Sequence, residues 1–374
     1  MTFDFSATYP AGMSKAAPAC YLYNAGVRTE SGSHVCIFGT HALMIHGKLG
    51  LEAMGSNFLN SFSKAGVTLE KYLFDSEVCE KELENICKTA TNNVKMVIGV
   101  GGGKVMDIAK LAAHALHVPV ICMPTIAATC AAVTPMSVLY HEDGSYRQDV
   151  FFPQNPNMVI ADPEVIGAAP VKYLKAGILD SIAKWYEGSA SIKGCAEIAD
   201  IFDVGALHMA SMLFEEMMAN VQEAIDSAAT GTLSAPLMSV IHLNIYFAGL
   251  IQSMGIKAVR NGIAHSVHNG LTVLPESHAL LHGLKVGYGI YVQLMVLREQ
   301  ENLLEQARKF FEHLQFIPSF CALGLPYSKE IVRKVAHKIH ADPMMKKIPF
   351  HTITEDDLVA AMQRIEAAHQ ETLQ

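Results

Sequence analysis

The sequence predicts an α/β domain with a parallel sheet, followed by an all-α domain. At 374 residues the chain is longer than one ordinary domain. In its first part, short apolar runs alternate with helical patterns, which indicates βαβ units. After Pro163, helical periodicity dominates to the end. We therefore expect an α/β domain over residues 1–162 and a helical domain over residues 163–374.

The elements of the α/β domain are predicted from their sequence patterns. Strands are expected at residues 34–38, 94–98, 118–122 and 158–161, and a helix at residues 107–116. An Asp-Gly pair at residues 143–144 separates Ser137–Tyr140 from a second β pattern that begins at Tyr146, which predicts a β-hairpin.

The composition restricts the class of partner. The chain is 51% hydrophobic and 17% charged, so it can build a sizeable core. Its formal charge is −8 and it has no dense basic stretch. Nucleic acid and an anionic membrane are therefore not expected as main partners, whereas a small-molecule substrate is compatible.

The cysteines and the N-terminal sequence indicate a cytoplasmic protein. No two cysteines form a C-x-x-C pair, and we expect reduced, buried thiols at positions 20, 36, 79, 87, 122, 130, 195 and 321. Residues 1–10 show neither a basic region nor a long apolar run, so no secretory signal is expected. The apolar stretch Val240–Ile256 is too short and too polar for a membrane span and predicts a buried helix.

A glycine-rich stretch at residues 98–107 (IGVGGGKVMD) follows a predicted strand and opens a predicted helix. Glycines let the backbone approach a phosphate closely, and free amides at a helix start attract its charge. Lys104 stands where G-x-G-x-x-G requires its last glycine, and the stretch does not match the P-loop pattern either. We favour phosphate binding; the alternative is a plain tight turn.

Four histidines, at positions 265, 268, 278 and 282, lie within 18 residues. A random window of that length would hold roughly 0.8. Neutral imidazole is a common ligand of Zn²⁺ and Fe²⁺, so the cluster predicts a metal site. A carboxylate is the usual third ligand, and spacing leaves Asp180, Glu187 and others open. The alternative is histidines with satisfied hydrogen bonds in the core or at the surface.

Several motifs together resemble the iron-containing alcohol dehydrogenase superfamily, on its glycerol-dehydrogenase-like branch. They occur in the family's order across about residues 30–290, namely GVGGGKVMDIAK (99–110), PTIAATCAAVTPMSVLY (124–140), AGILDSIAKWYEG (176–188), AHSVHNGLTVLP (264–275) and HGLKVGYG (282–289). The resemblance implies an NAD(P)-dependent, metal-dependent oxidoreductase. Its fold would be a dinucleotide-binding α/β domain and a helical domain, with the site in the cleft between them.

The resemblance also implies which residues hold the metal. In this branch an aspartate and two histidines are the ligands, which correspond here to Asp180, His265 and His282. A related branch has a further histidine four residues after the aspartate, where this chain has Lys184, so three ligands are implied. The implied ion is divalent, with Zn²⁺ favoured over Fe²⁺, although both suit this ligand set.

Further roles follow from the same resemblance. His268 would lie near the substrate, and His278 has no clear counterpart and is expected at the surface or behind a ligand. The metal would polarise the substrate oxygen, and the nicotinamide would carry the hydride. The implied cofactor-binding residues are Gly101, Gly102, Gly103 and Lys104 at the pyrophosphate, Asp107 nearby, and Thr125, Thr134, Met136 and Tyr140 along the rest of the cleft.

Cofactor choice is predicted from the end of the first predicted strand. An acidic side chain there would bind the ribose 2′-OH and repel a 2′-phosphate. The sequence continues Phe38-Gly39-Thr40-His41, without a carboxylate. We therefore expect Gly39 to contact the cofactor, and NADPH to be favoured over NADH.

Cys130 predicts the class of substrate. Polyol-oxidising members carry an aspartate at this position of the P-T-I-A-x-T-D segment. The run here resembles the hydroxycarboxylate dehydrogenases, which reduce 2-oxo acids, and the loss of a carboxylate removes repulsion of an anionic substrate. The alternative is that Cys130 is a small buried residue without a substrate role.

Three competing functions remain at this point. A true glycerol dehydrogenase would oxidise polyols and hold the hydroxyls with other groups. A lyase similar to dehydroquinate synthase is remote, because such an enzyme needs a dense basic pocket and a glutamate ligand where this chain has Asp180. The third is a ligand-sensing relative without activity. Relatives are often oligomers, so a homo-oligomer is expected.

Overall fold

The computed structural model describes residues 15–195, 200–254, 262–298, 301–346 and 350–372. Strands in these ranges are β1 (Tyr21–Leu22), β2 (His41–His46), β3 (Thr68–Leu73), β4 (Met96–Gly101), β5 (Val120–Pro124), β6 (Met136–Tyr140), β7 (Tyr146–Phe151) and β8 (Met158–Ile160).

Helices lie between the strands and then continue to the end of the chain. The first set is α1 (Ser31–Val35), α2 (Lys48–Ala53), α3 (Ser56–Lys64), α4 (Glu80–Thr89), α5 (Gly103–Leu116) and α6 (Pro163–Gly167). The later set is α7 (Val171–Cys195), α8 (Ile201–Thr230), α9 (Ala235–His242), α10 (Ala248–Met254), α11 (Ile263–Leu271), α12 (His282–Val296), α13 (Glu301–His313), α14 (Lys329–His340) and α15 (Glu355–Thr372). A π-helical turn, Leu243–Phe247, joins α9 to α10.

Six of the strands form one parallel sheet in the order β1-β8-β5-β4-β2-β3. Every residue of β4 is buried, as expected of a strand covered on both faces. The predicted fold class, an α/β part with a parallel sheet and a helical part, is confirmed. The strands predicted at 94–98, 118–122 and 158–161 are β4, β5 and β8, and β4 and β5 extend further, to Gly101 and Pro124.

A separate antiparallel pair, β6 and β7, forms the predicted hairpin. Its turn contains the Asp-Gly pair, and the carboxylate of Asp143 accepts a hydrogen bond of 2.9 Å from the amide of Ser145. A register shift lies between Leu139 and Tyr140. An Asp-Gly turn between two β patterns was therefore a reliable local signal.

The strand predicted at 34–38 was wrong, because α1 and a 3-10 turn (Cys36–Phe38) occupy this segment. Ser31, Gly32 and Val35 are buried while Ile37 is 73% exposed, a helical rather than an alternating pattern. The strand comes later, as β2, whose residues 42–45 are buried. Gly39 therefore lies before β2 rather than after its carboxyl end, which removes the reason to expect cofactor contact there.

The described chain forms two compact units. One takes in residues up to Leu174 together with Glu223–Ser253, and the other takes in Lys175–Gln222 and the residues from Met254 onward. The sheet and the hairpin belong to the first unit. In secondary structure the last strand ends at Ile160 and helices follow from Pro163. The domain division at residue 162 stays a prediction.

Each unit has its own hydrophobic core. In the first unit, Phe58 and Phe62 of α3 pack with sheet residues such as Met44 and Ile98. In the second unit, α11, α12, α14 and α15 contribute the core, which is centred on residues that include Tyr288, Phe320, Val335 and Met362.

One described helical stretch, Ala235–Met254, is long and apolar enough by composition to cross a membrane, with a mean hydropathy of 1.3. Because 61% of that stretch is buried, it has the character of a core helix. Residues 1–10, on which the expectation about a secretory signal rests, lie outside the described residues.

The cysteines that can be assessed carry free thiols. Those at 79, 87, 122 and 130 are buried, whereas Cys321 is exposed, so burial was wrongly expected there. The side chain of Cys195 lies outside the described residues.

Candidate functional site

The glycine stretch forms a strand–loop–helix turn in the first unit. β4 ends at Gly101 and α5 begins at Gly103, as the sequence predicted. Gly101 has a φ of 154°, and a Cβ atom there would lie 2.8 Å from Val105 Cγ2, so a side chain is excluded. The cap residue Gly102 offers no side-chain hydrogen bond to α5. The turn therefore presents backbone amides at a helix start, where a phosphate is favoured.

Three charged side chains of α5 have protein partners. The ammonium of Lys104 lies 2.6 Å from a carboxylate oxygen of Glu77. Asp107 pairs with the buried Lys110 at 3.0 Å and accepts a hydrogen bond of 3.3 Å from the amide of Val138 in β6. Asp107 thus ties α5 to the hairpin.

The other predicted cofactor residues lie around this turn. The amide of Thr125 donates to the carbonyl of Gly101 at 3.0 Å, so Thr125 adjoins the loop directly. The carbonyls of Thr134 and Met136 accept hydrogen bonds from the buried ammonium of Lys110 in α5. Tyr140 ends β6, further along the hairpin.

Cys130 is buried in the first unit and begins a tight turn. Its carbonyl accepts hydrogen bonds from the amides of Val133 and Thr134, at 3.0 and 3.3 Å. A Cβ atom added at Gly249 would lie 3.5 Å from the Cβ of Cys130, so Cys130 packs next to α10.

The second unit brings together a carboxylate and two imidazoles from three helices. Asp180 lies within α7, His265 in the first turn of α11, and His282 at the first residue of α12. One ligand atom from each lies within 4.8 Å of the others. The Nε2 atoms of His282 and His265 are 3.2 and 3.4 Å from Asp180 Oδ1. No second such group of His, Cys, Asp or Glu side chains occurs in the described residues.

The electrostatics of this group keep the aspartate ionised. Burial would raise the pKa of Asp180, but the adjacent His282 and His265 outweigh it and hold that pKa well below its usual range. Burial likewise opposes charge on His265, and the Glu187 carboxylate overcomes this and raises the pKa of His265 to about 9.

Two glycines of α12 explain how the three helices approach one another. A Cβ atom at Gly283 would lie 1.7 Å from the carbonyl oxygen of Ala176 in α7. A Cβ atom at Gly289 would lie 2.3 Å from the carbonyl oxygen of Ala264 in α11. α12 therefore meets both neighbours main chain to main chain, next to the residues that carry the imidazoles and the carboxylate.

The other two histidines of the sequence cluster, His268 and His278, lie in different environments. The ring of His268 is buried, with its centre 4.3 Å from that of His282, and its Nδ1 lies 3.1 Å from Asn269 Oδ1. Burial, with the charge of His282, lowers the pKa of His268 well below its usual value. His278 is exposed and bonds the carbonyl of Thr272 at 2.9 Å. Three of the four histidines thus lie together, and His278 lies apart.

Glu187, the other carboxylate that the spacing left open as a metal ligand, is not in the three-residue group. It is fully buried, and its Oε2 atom lies 2.7 Å from His265 Nδ1, behind that ring. Sequence reasoning missed this role, although the separation of seven residues from Asp180 on one helix was a signal that both share a face. Lys184, between them, is buried as well.

Comparison with known proteins identifies the family. The sequence pattern of the family described as iron-containing alcohol dehydrogenase matches residues 18–163. A glycerol dehydrogenase of Thermotoga maritima is 30% identical over 338 residues, covering 87% of this chain and 91% of that protein. Hydroxycarboxylate dehydrogenase A of Escherichia coli is 31% identical over 357 residues, covering 94% and 96%.

A solved structure agrees with these relatives. The crystal structure of a probable glycerol dehydrogenase from Sinorhizobium meliloti superposes with a TM-score of 0.84 at 26% identity, covering 95% of this chain and 99% of that one. The family binds NAD(H) and a divalent metal. The chain therefore belongs to the iron-containing alcohol dehydrogenase family and is an oxidoreductase of that type.

Proposed function

We propose that this enzyme reduces short 2-oxo acids to 2-hydroxy acids, with NADPH as the hydride donor and one divalent metal held by Asp180, His265 and His282. The observation that carries the proposal is the group of one buried carboxylate and two partly buried imidazoles. The family assignment supports the hydride chemistry, and the residues below support the choice of metal, cofactor and substrate.

The donor set fits a divalent metal. Ligands about 2.0–2.1 Å from a tetrahedral Zn²⁺ lie roughly 3.3 Å from one another. The Nε2–Oδ1 separations of 3.2 and 3.4 Å agree with that spacing. Three protein ligands leave a position open for a substrate oxygen, which the ion would polarise. We propose Zn²⁺ ahead of Fe²⁺ because three protein ligands and one open position are the usual arrangement at catalytic zinc.

His268 is proposed to lie beside the substrate. Its lowered pKa makes the imidazole neutral at physiological pH, so the ring can exchange a hydrogen bond without adding positive charge. The contact between Nδ1 and Asn269 Oδ1 would place a proton on Nδ1 and leave Nε2 as an acceptor.

The glycine turn is proposed to hold the cofactor pyrophosphate, through Gly101, Gly102, Gly103 and Lys104. A bound cofactor would supply the hydride. Glu77 already pairs with Lys104, so a pyrophosphate would compete with Glu77 for this ammonium. Asp107 is proposed to support the turn through its contact with the hairpin. The rest of the cofactor would be lined by Thr125 next to the glycine loop, Thr134 before β6, and Met136 and Tyr140 of β6.

NADPH preference is proposed from the end of β2, which runs beside β4. β2 ends at His46 and is followed by Gly47 and Lys48, so no carboxylate stands where one would repel a 2′-phosphate. A cavity of about 610 Å³ opens there. Its wall includes His46, Lys48, Ser56 and one acidic residue, Glu52. Lys48 is exposed, and no ion pair engages it among the described residues. Its ammonium supports a phosphate at this position.

The 2-oxo acid is proposed from Cys130. A neutral thiol there avoids the repulsion that the aspartate of polyol-oxidising enzymes would exert on a substrate carboxylate. The similarity to a protein named hydroxycarboxylate dehydrogenase A supports this choice. The second candidate is polyol oxidation, which the similarity to a protein named glycerol dehydrogenase favours. We also propose that the protein is a cytoplasmic homo-oligomer. Size-exclusion chromatography with light scattering would test the oligomeric state.

Steady-state assays of one preparation would test the function. Enzyme stripped with a chelator and reloaded with Zn²⁺ or Fe²⁺ is offered NADPH or NADH with 2-oxobutanoate, and NADP⁺ or NAD⁺ with glycerol. We expect activity to return with metal, and kcat/KM to be highest for NADPH and 2-oxobutanoate. Higher kcat/KM for glycerol would overturn the substrate, and full activity without metal would overturn the metal centre.

A further inference from the structure

A buried carboxylate stands behind one of the proposed metal ligands. Glu187 follows Asp180 by seven residues, about two turns, so both point from the same face of α7. Its side chain is fully buried. A buried carboxylate requires compensating hydrogen bonds, and the donors that supply them indicate its role.

Three donors from the start of α11 meet this carboxylate. Oε1 accepts hydrogen bonds from the amides of Gly262 and His265, at 2.8 and 2.9 Å. Oε2 lies 2.7 Å from Nδ1 of the His265 ring. The other ring nitrogen, Nε2, faces Asp180 Oδ1 at 3.4 Å. The ring is thus held between two carboxylates that contact its opposite nitrogens.

We propose that Glu187 is a positioning residue that fixes the tautomer of His265. When a metal takes the lone pair of Nε2, the ring keeps one hydrogen, and the ionised carboxylate of Glu187, which has no proton to give, holds that hydrogen on Nδ1. That lone pair then points into the proposed metal centre, on which this inference rests. The two amide contacts fix the first turn of α11, which carries His265, and so set the direction of the ring.

An isosteric substitution separates this role from simple capping. In Glu187→Gln the amide oxygen can still accept hydrogen bonds from the two backbone amides. Its NH₂ group would then face Nδ1, which must become an acceptor, so the ring proton moves to Nε2. A protonated Nε2 has no lone pair for a metal, so a metal must first displace that proton. The variant therefore keeps the cap and reverses the tautomer.

Glu366 provides a matched control in the same unit. It is buried, and its carboxylate accepts hydrogen bonds from the backbone amides of Phe320 and Cys321, at 2.5 and 3.5 Å. Glu366→Gln makes the same chemical change to a buried backbone-bound carboxylate. Loss of stability alone would appear in both variants.

The test is zinc affinity of the full-length metal-free protein, by competition with a chromophoric chelator, together with ¹⁵N NMR of the histidine rings. Glu187→Gln should weaken zinc binding on the order of 10–100-fold, which is the usual effect of replacing a carboxylate behind a metal-bound histidine. Glu366→Gln should bind zinc as wild type does. In the zinc-loaded wild type, the His265 spectrum should show the single ring proton on Nδ1.

Each outcome decides the matter. Equal zinc affinity in Glu187→Gln and wild type would overturn the positioning role. If Glu187→Gln does not fold, the spectrum of the zinc-loaded wild type decides: a single ring proton on Nε2 of His265 overturns the proposal and one on Nδ1 supports it. If wild type itself binds no zinc, or His282→Ala binds zinc as wild type does, the proposed metal centre has failed, separately from the role of Glu187.

Discussion

The Nε2 atom of His282 lies 3.2 Å from Oδ1 of Asp180, although 102 residues of sequence separate them. Replacing His282 by Ala removes one of three donors from the proposed metal centre. We expect the variant to lose its metal and to lose turnover by on the order of 10³-fold or more, since polarisation by a metal contributes several kcal/mol and each 1.36 kcal/mol is tenfold. Metal content by plasma emission spectrometry and initial rates measure both.

A histidine outside the group is the control. His278 is exposed and bonds a backbone carbonyl, so His278→Ala should keep metal and turnover within about twofold, as surface substitutions usually have small effects. Both variants should bind NADPH, measured by fluorescence titration. A metal-loaded and active His282→Ala enzyme would remove this histidine from the ligand set.

Cofactor preference is predicted to depend on the end of β2. A Cβ atom at Gly47 would lie 3.7 Å from Val105 Cγ2, so a side chain fits. Gly47→Asp should repel a 2′-phosphate and shift preference toward NADH. Lys48→Ala should raise the KM for NADPH by about tenfold, because a hydrogen bond to a charged group contributes about 1.5–3 kcal/mol, and should leave the KM for NADH nearly unchanged. Lys64→Ala, an exposed lysine of α3, is the matched control. A wild-type enzyme with strong NADH preference would contradict this assignment.

Substrate class is predicted to depend on charge at Cys130. Two carboxylates about 4 Å apart repel by about 4 kcal/mol at an effective dielectric constant of 20. Cys130→Asp should therefore lower kcat/KM for 2-oxobutanoate by at least about tenfold and change glycerol oxidation less or raise it. Cys130→Ser, neutral and similar in size, is the control and should stay close to wild type. An unchanged ratio of the two activities in Cys130→Asp would make Cys130 a packing residue.

Stability is predicted to depend on the glycines of α12. In Gly283→Ala the new Cβ would meet the carbonyl oxygen of Ala176 at 1.7 Å, so α7 and α12 must separate. We expect the free energy of unfolding to fall by about 3 kcal/mol and zinc affinity to fall with it. Gly205→Ala, in α8 with its nearest neighbour at 3.7 Å, should instead gain about 0.5–1 kcal/mol from helix propensity. Urea denaturation of both variants measures the difference.

Sequence reasoning was accurate where local chemistry determined the structure. The Asp-Gly turn predicted the hairpin, and the glycine stretch predicted a strand–loop–helix turn. The run at 34–38 failed because a short apolar segment does not distinguish a strand from a buried helix by periodicity alone. The true strand, β2, with residues 42–45 buried, was missed next to it.

Part of the candidate site depended on tertiary contacts that spacing does not contain. The cluster of histidines was visible, but Asp180 and Glu187 could not be distinguished, because they lie on one face of one helix. Their tertiary contacts separate them: Glu187 lies 2.7 Å from Nδ1 of His265, whereas Asp180 lies near Nε2 of both His265 and His282. The spacing of glycines at 283, 287 and 289 was a signal of close helix packing that was not used.

The main-chain contacts at Gly283 and Gly289 also make the candidate metal centre transferable. Since no side chain separates α12 from the main chain at Ala176 or Ala264, backbone contact at these two points limits how closely the three ligand-bearing helices approach. A designer who repacks the second unit would therefore keep glycine at both positions. To graft the site into another scaffold, the two glycines and their facing alanines would have to accompany Asp180, His265 and His282.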